Sequence, residues 1–209
     1  MVVLSARGFE IMIMDGQSAE GIRIPVLSTQ LDPSLVPIAR RVDAARPLGI
    51  FRTRSNMPGY SEAEFLLCYN DFGIYIDRHG RLSRAGENGR LIRTGEVFIE
   101  WEGAVERVVC HPPHVLLFNP RFVEVRMLDT CRIVQIVPGV DLNCIWDDAD
   151  WAAKSNAKAG GPIAPGEEGW SPEARVHAVV REQGDRPGQS AAYQVYELLP
   201  TLPYVATPL

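Results

Sequence analysis

An all-β chain of short antiparallel strands is predicted by three features of the 209-residue sequence. Apolar residues alternate with a period of two, turn-forming residues bound each alternating run, and glycine and proline interrupt every stretch that could become a long helix. The 18 glycines and 16 prolines exceed average usage, which favours many short elements joined by turns. With 46% hydrophobic and 22% charged residues the chain has enough apolar material for one large domain or two small ones, and neither disorder nor coiled coil fits.

The first alternating run is Phe9-Glu-Ile-Met-Ile-Met14, closed by the turn Asp15-Gly16. A short helix is expected at Asp32-Pro33-Ser34-Leu35, where Asp caps and Pro suits the first helical position, with Pro37 and Pro47 limiting its extent. Alternation resumes at Phe72-Gly-Ile-Tyr-Ile-Asp77, which runs into the turn His79-Gly80, and again at Val97-Phe-Ile-Glu-Trp101. Asn119-Pro120 precedes Val123-Glu-Val-Arg-Met127, and Pro138-Gly139 follows Arg132-Ile-Val-Gln-Ile-Val137. Residues 154–172 carry many breakers and almost no apolar period, so they read as a mobile loop, and 183–190 are similar. Residues 175–181 and 192–199 read as a closing hairpin with a long tip.

A repeated unit underlies this pattern. The apolar pairs Val3-Leu4, Leu66-Leu67 and Leu116-Leu117 are each followed, five or six residues on, by an anchor, Phe9, Phe72 or Val123, from which alternation continues. Each unit is strand, tight turn, strand. The anchors recur at intervals a little longer than the roughly 40 to 50 residues of propeller blades, with Pro-rich or polar insertions at 29–47 and 84–95 accounting for the excess. A propeller is favoured over a β-sandwich, which the same hairpins would also allow.

Charge and targeting signals narrow the function. A net charge of −5, a pI near 5.4 and no basic run longer than Arg40-Arg41 argue against a nucleic-acid partner. The first residues lack the basic flank and apolar stretch of a signal peptide, and no run approaches the roughly 18 apolar residues of a membrane span. Cys68, Cys110, Cys131 and Cys144 show no Cys-x-x-Cys spacing, and three lie in apolar runs, so they read as buried reduced thiols. A cytoplasmic location is expected.

Catalytic and metal chemistry find little support. Cys110-His111-Pro-Pro-His114 offers three potential zinc ligands, but alternation points Cys110 and His111 to opposite faces and no fourth ligand is spaced to join them. A structural turn between two strands is the better reading. Asp77-Arg78-His79-Gly80 places a carboxylate beside an imidazole, yet it too reads as hairpin chemistry, and neither a Gly-x-Ser-x-Gly elbow nor a P-loop occurs. Glu100 and Glu102 flank Trp101, which suits a buried indole with a solvated acidic face rather than a glycosidase pair. No cofactor is expected. Trp146, Trp151 and Trp170, with Asp147, Asp148 and Asp150, form an aromatic and acidic neighbourhood around the long loop. Some of these indoles are expected to pack under the loop, and the rival reading is a partner-binding edge. Arg121 and Arg126 read as solvated or paired surface charges, with partner contact as the lesser alternative.

Four segments together resemble the citron homology (CNH) domain: Glu64-Phe-Leu-Leu-Cys-Tyr-Asn-Asp-Phe-Gly-Ile-Tyr-Ile-Asp77, Ile99-Glu-Trp-Glu-Gly103, His111-Pro-Pro-His-Val-Leu-Leu-Phe-Asn-Pro-Arg-Phe-Val-Glu-Val-Arg126 and Ile133-Val-Gln-Ile-Val-Pro-Gly139. Their order and spacing match over most of the chain. Within that family the wording is most similar to the carboxy-terminal CNH domain of fungal Rho guanine-nucleotide exchange factors, including Arg7-Gly-Phe-Glu10 and Tyr196-Glu-Leu-Leu-Pro200.

The resemblance implies a partial β-propeller of about three to four blades of antiparallel sheet with long irregular loops, residues 1–209 being the carboxy-terminal portion of a CNH domain. It implies a non-catalytic regulatory module that binds proteins in Rho-type small-GTPase signalling, any exchange activity residing in Dbl-homology and pleckstrin-homology domains outside this chain. Expected partners are a Rho-family GTPase or the parent protein's own catalytic domains, with recruitment to the plasma membrane through partners. Phe9, Leu67, Tyr69, Phe72, Trp101, Gly103 and Pro112 fall on family-motif structural positions. So do Phe118, Pro120, Phe122, Arg126, Pro138 and Gly139, while Arg121, Trp146, Trp151 and Trp170 make a candidate partner surface. The tail of a Ste20-like kinase, a small metal enzyme built on Cys110, His111 and His114, and a truncated gene product are the rival readings. A partial ring is expected to leave strand edges open unless something else covers them.

Overall fold

A computed structural model describes residues 2–5, 8–15, 18–53, 64–83, 98–147, 175–182 and 192–199. The expected loop at 154–172 and the hairpin tip at 183–190 lie outside them. Among the described residues, fourteen strands form four antiparallel sheets, each a meander in chain order. The first sheet holds β1 (Val2–Ser5), β2 (Gly8–Asp15) and β3 (Ser18–Ile24). The second holds β4 (Pro47–Arg52), β5 (Glu64–Tyr69), β6 (Phe72–Asp77) and β7 (Ile99–Glu100). The third runs through β8 (Arg107–His111), β9 (His114–Asn119), β10 (Phe122–Met127) and β11 (Ile133–Pro138). The fourth is β12 (Asn143–Asp147), β13 (Val176–Arg181) and β14 (Tyr193–Leu198). Contacts group the chain into two compact units, Met1–Asn119 with Val123–Val137, and Pro120–Phe122 with Pro138–Leu209.

The repeated unit is real: its three copies are the hairpins β1–β2, β5–β6 and β9–β10, and the anchors Phe9, Phe72 and Val123 are fully buried. The closing hairpin is also present, β13 pairing with β14 from Val176 opposite Leu198 to Arg181 opposite Tyr193. The helix differs from expectation. Pro33–Leu35 form a single 3-10 turn in which Asp32 Oδ1 accepts from the Ser34 N–H at 2.9 Å. Beyond it runs α1, Val36–Ala44. Pro37 sits in its first turn, where the missing N–H has no helical partner to lose, so it starts this helix instead of stopping it. Ile38 and Val42, four residues apart, supply the buried stripe.

The middle of the first unit is the β5–β6 hairpin, buried on both faces. Leu67 pairs with Ile74 on one face, and Leu66 with Tyr75 on the other. The first face joins Phe9 and Ile24 of the first sheet and Ile38 and Val42 of α1 in one core. The second joins Trp101, Val115, Leu117 and Leu128 in another. That two-sided burial explains why β5 reads as a continuous apolar run rather than an alternating one. Each fully buried Leu or Phe contributes roughly 1.5–3 kcal/mol. An aromatic ladder reinforces the first core: Phe9 meets Tyr69 edge-on, Tyr69 stacks on Phe72 with centroids 4.7 Å apart, and Phe72 meets Phe98 edge-on. Arg41 of α1 lies over the Phe72 and Phe98 rings and bonds Glu100 at 2.5 and 2.6 Å. In the second core Trp101 packs so closely on Gly73 that a Cβ there would lie 2.5 Å from its ring.

Arg126 is not a surface charge. It is 6% exposed and Glu124, on the same face of β10, is 1% exposed. Arg126 Nε donates to Glu124 Oε1 at 2.5 Å, Nη1 to the Cys131 carbonyl at 2.8 Å and Nη2 to the Glu100 carbonyl at 2.9 Å. Glu124 Oε2 accepts from the Glu102 N–H at 3.0 Å, and the guanidinium carbon lies 5.1 Å from the Trp101 ring centre. The pair therefore stitches the end of the second sheet to the third with its hydrogen-bonding capacity well used. Removing one partner strands a buried charge. Arg126→Met alone is expected to destabilise the fold by about 3–5 kcal/mol, whereas Arg126→Met with Glu124→Leu recovers most of that loss. Urea denaturation of the two variants checks it.

Candidate functional site

The register of the fourth sheet sorts its side chains onto two faces. Val176, Ala178 and Cys144 are buried together, Cys144 lying directly opposite Ala178. The other face carries His177, Val179 and Arg181 of β13, opposite Glu197, Val195 and Tyr193 of β14. Simple alternation would put Trp146, two residues after Cys144, on the buried face. A register shift between Cys144 and Trp146 brings Trp146 opposite His177, on the open face. Trp146 is 58% exposed, Val195 63% and Tyr193 51%. Ion pairs border this aromatic face, Arg181 with Asp141 at 3.3 Å and Arg175 with Glu197 at 3.5 Å. An aromatic and aliphatic centre with charged pairs around it is the composition of a protein contact surface.

Of the candidate partner residues, Arg121 and Trp146 are both exposed, so the expectation of an indole packed under the loop does not hold for Trp146. Trp151 and Trp170 lie outside the described residues. Val195 and Tyr193 were missed, because the apolar alternation of Tyr193–Leu198 does not reveal that nearly the whole strand is exposed. Among the family-motif positions, Phe9, Leu67, Tyr69, Phe72, Trp101, Phe118 and Arg126 are buried. Gly103, Phe122 and Gly139 are half-buried, and Pro112, Pro120 and Pro138 are exposed. The Gly139 N–H donates to the Arg121 carbonyl at 2.8 Å and the Leu142 N–H to that of Pro120 at 3.0 Å.

The two chemical candidates are turns. Asp77 Oδ1 accepts from the His79 and Arg81 N–H groups at 2.8 and 2.9 Å, so this carboxylate organises the β6 turn. His111 and His114 face one another as the last pair of the β8–β9 hairpin, with Pro112 and Pro113 between them. Cys110 packs instead against the second core, where burial pushes its thiol up to about 11, away from a ligating thiolate. Among the described residues no three His, Cys, Asp or Glu side chains come together as a metal site. All four cysteines are free, and burial raises the Cys68 thiol well above its ordinary value. Among the described residues no helix is long and apolar enough to cross a membrane.

Antiparallel meander sheets, one of them with an exposed aromatic face, make a β-propeller-like scaffold. The family description CNH domain matches residues 1–148, and the chain belongs to that family. It is 27% identical over 141 residues to Rho1 guanine nucleotide exchange factor 1 of Schizosaccharomyces pombe, covering 68% of this chain and 9% of that protein. It is 29% identical over 147 residues to exchange factor 2 of the same yeast, covering 70% and 11%. RHO1 GDP-GTP exchange protein 2 of Saccharomyces cerevisiae is 26% identical over 131 residues, covering 63% and 8%. The chain thus spans only about a tenth of these relatives' length. The solved AfRom2 CNH domain shares the fold with a TM-score of 0.53 at 22% identity, covering 94% of this chain and 46% of that one.

The His111–His114 pair has a measurable signature. Partial burial, and then the charge of His111, hold His114 below the ordinary histidine value of 6.5. In the window just below that value the unfolded chain binds the proton that folded His114 refuses, so this residue's contribution to stability falls as pH drops. His111→Ala removes the smaller cause and is expected to move His114 part of the way back up, as read by proton NMR titration of the imidazole.

Proposed function

We propose that residues 1–209 are the carboxy-terminal portion of a CNH module, serving as the non-catalytic regulatory end of a Rho-type exchange factor in the cytoplasm. The observation that carries this reading is the CNH match over residues 1–148, with relatives that are Rho1 exchange factors. Those relatives favour an exchange-factor parent over a kinase parent. The open face around Trp146, Tyr193 and Val195 supplies the contact, rigid side chains on a sheet losing little conformational freedom when a partner docks. A Rho-family GTPase or the parent's own catalytic domains are the partners proposed, and either would bring the module to the plasma membrane.

Two measurements test the reading together. Purified chain added to a Rho-type GTPase loaded with fluorescent GDP is expected to leave the nucleotide-release rate unchanged. Immobilised chain is expected to retain the GTPase or the parent's catalytic domains, and Trp146→Ala with Val195→Asp to weaken that retention by at least about tenfold while unfolding is unaltered. Accelerated release, or retention indifferent to the double substitution, would overturn it.

A further inference from the structure

A cavity of about 130 Å³ opens between the first sheet, the end of α1 and the second sheet. Gly8, Ile24, Val42, Pro47 and Tyr69 wall it, and Arg23 and Asp43 stand at its rim. The rim residues form an ion pair of 2.7 Å with side chains 50% and 58% exposed, so their charges cancel at the mouth. Tyr69 is 1% exposed, and its hydroxyl has no hydrogen-bond partner among the described residues. Tyr69, Arg23 and Asp43 line the same space, and burial pushes the ionisation of the phenol up so that it stays a donor. A buried hydroxyl left without an acceptor is costly, and the geometry that strands this one also gives it room for a guest.

The walls select the guest. It must accept from the Tyr69 O–H, lay carbon against Ile24, Val42 and Pro47, and tolerate a rim with no net charge. A carboxylate would add a negative charge beside Asp43 in a half-dry site, and an ammonium would leave the phenol unanswered. A primary amide meets every demand, its carbonyl accepting from Tyr69 and its N–H donating to Asp43. A cavity of about 150 Å³ accommodates benzene, so a group of five or six heavy atoms suits the space. We propose that this cavity receives an asparagine or glutamine side chain presented by a protein partner, an inference that rests on the interaction-module reading.

The test uses the isotope-labelled full chain, titrated with propanamide while the backbone resonances of Gly8, Arg23 and Ala45 are followed by NMR. Saturable shifts in the millimolar range are expected with propanamide, and markedly weaker ones with propionate or propylammonium. Tyr69→Phe keeps the ring against Phe9 and Phe72 and removes only the donor, so binding weakens about fivefold with the remaining spectrum intact. Ala45→Leu, at a half-buried lining position, is expected to fill the space and abolish the shifts even where Tyr69→Phe unfolds the chain. Absence of saturable shifts, meaning a cavity that holds water only, overturns the proposal. Propionate binding as tightly as propanamide, affinity undiminished in Tyr69→Phe, or shifts surviving in Ala45→Leu, does the same. None of these results touches the nucleotide-release and retention measurements, which judge the module reading separately.

Discussion

The β5–β6 hairpin has no solvent face, and much of the first unit follows from that constraint. A strand pair with Leu67 and Ile74 on one side and Leu66 and Tyr75 on the other needs apolar cover on both. The first sheet with α1 covers one side and the third sheet covers the other. Neither neighbour is optional, since uncovering either face returns several large apolar side chains to water. This is the packing logic of stacked blades: one sheet is the wall of two cores.

Apolar cover alone would permit many alignments, and buried polar groups narrow them. The Trp101 indole N–H donates to the Tyr69 carbonyl at 2.9 Å, and the Tyr75 hydroxyl to the Leu128 carbonyl at 3.0 Å. Each bond has one productive position, and a slip of one residue would leave its donor dry. The Glu124–Arg126 pair adds the same demand at higher stakes, because both charges lie in the seam beside Trp101. Hydrophobic burial drives these sheets together, and the polar tips fix how they meet.

How much of this was legible depended on the range over which each signal acts. Period-two alternation and turn residues revealed the hairpins, and the words around Leu67, Trp101 and Phe118 revealed the family, because both are written in contiguous sequence. Pro37 misled because proline ends helices and starts them alike, and only its place in the first turn decides. Arg126 looked like surface charge because its partners Glu100 and Cys131 come from other segments. Trp146 reaches the open face through a register shift that no alternation rule anticipates. The cavity beneath Arg23 and Asp43 left no trace in sequence, being the product of a strand, a helix end and a second sheet meeting at one point.

The turn after β6 has a practical consequence. Gly80 has a φ of +79°, and its carbonyl accepts the Val26 N–H at 2.7 Å, clasping the segment that leaves the first sheet. Any Cβ at Gly80 would collide with Ile24 of the first core. A hairpin tip is ordinarily where an affinity tag, a fluorescent reporter or new chain termini can be grafted without harm. Here the tip is a buckle between two sheets, so such a graft would undo the fastening rather than decorate the surface.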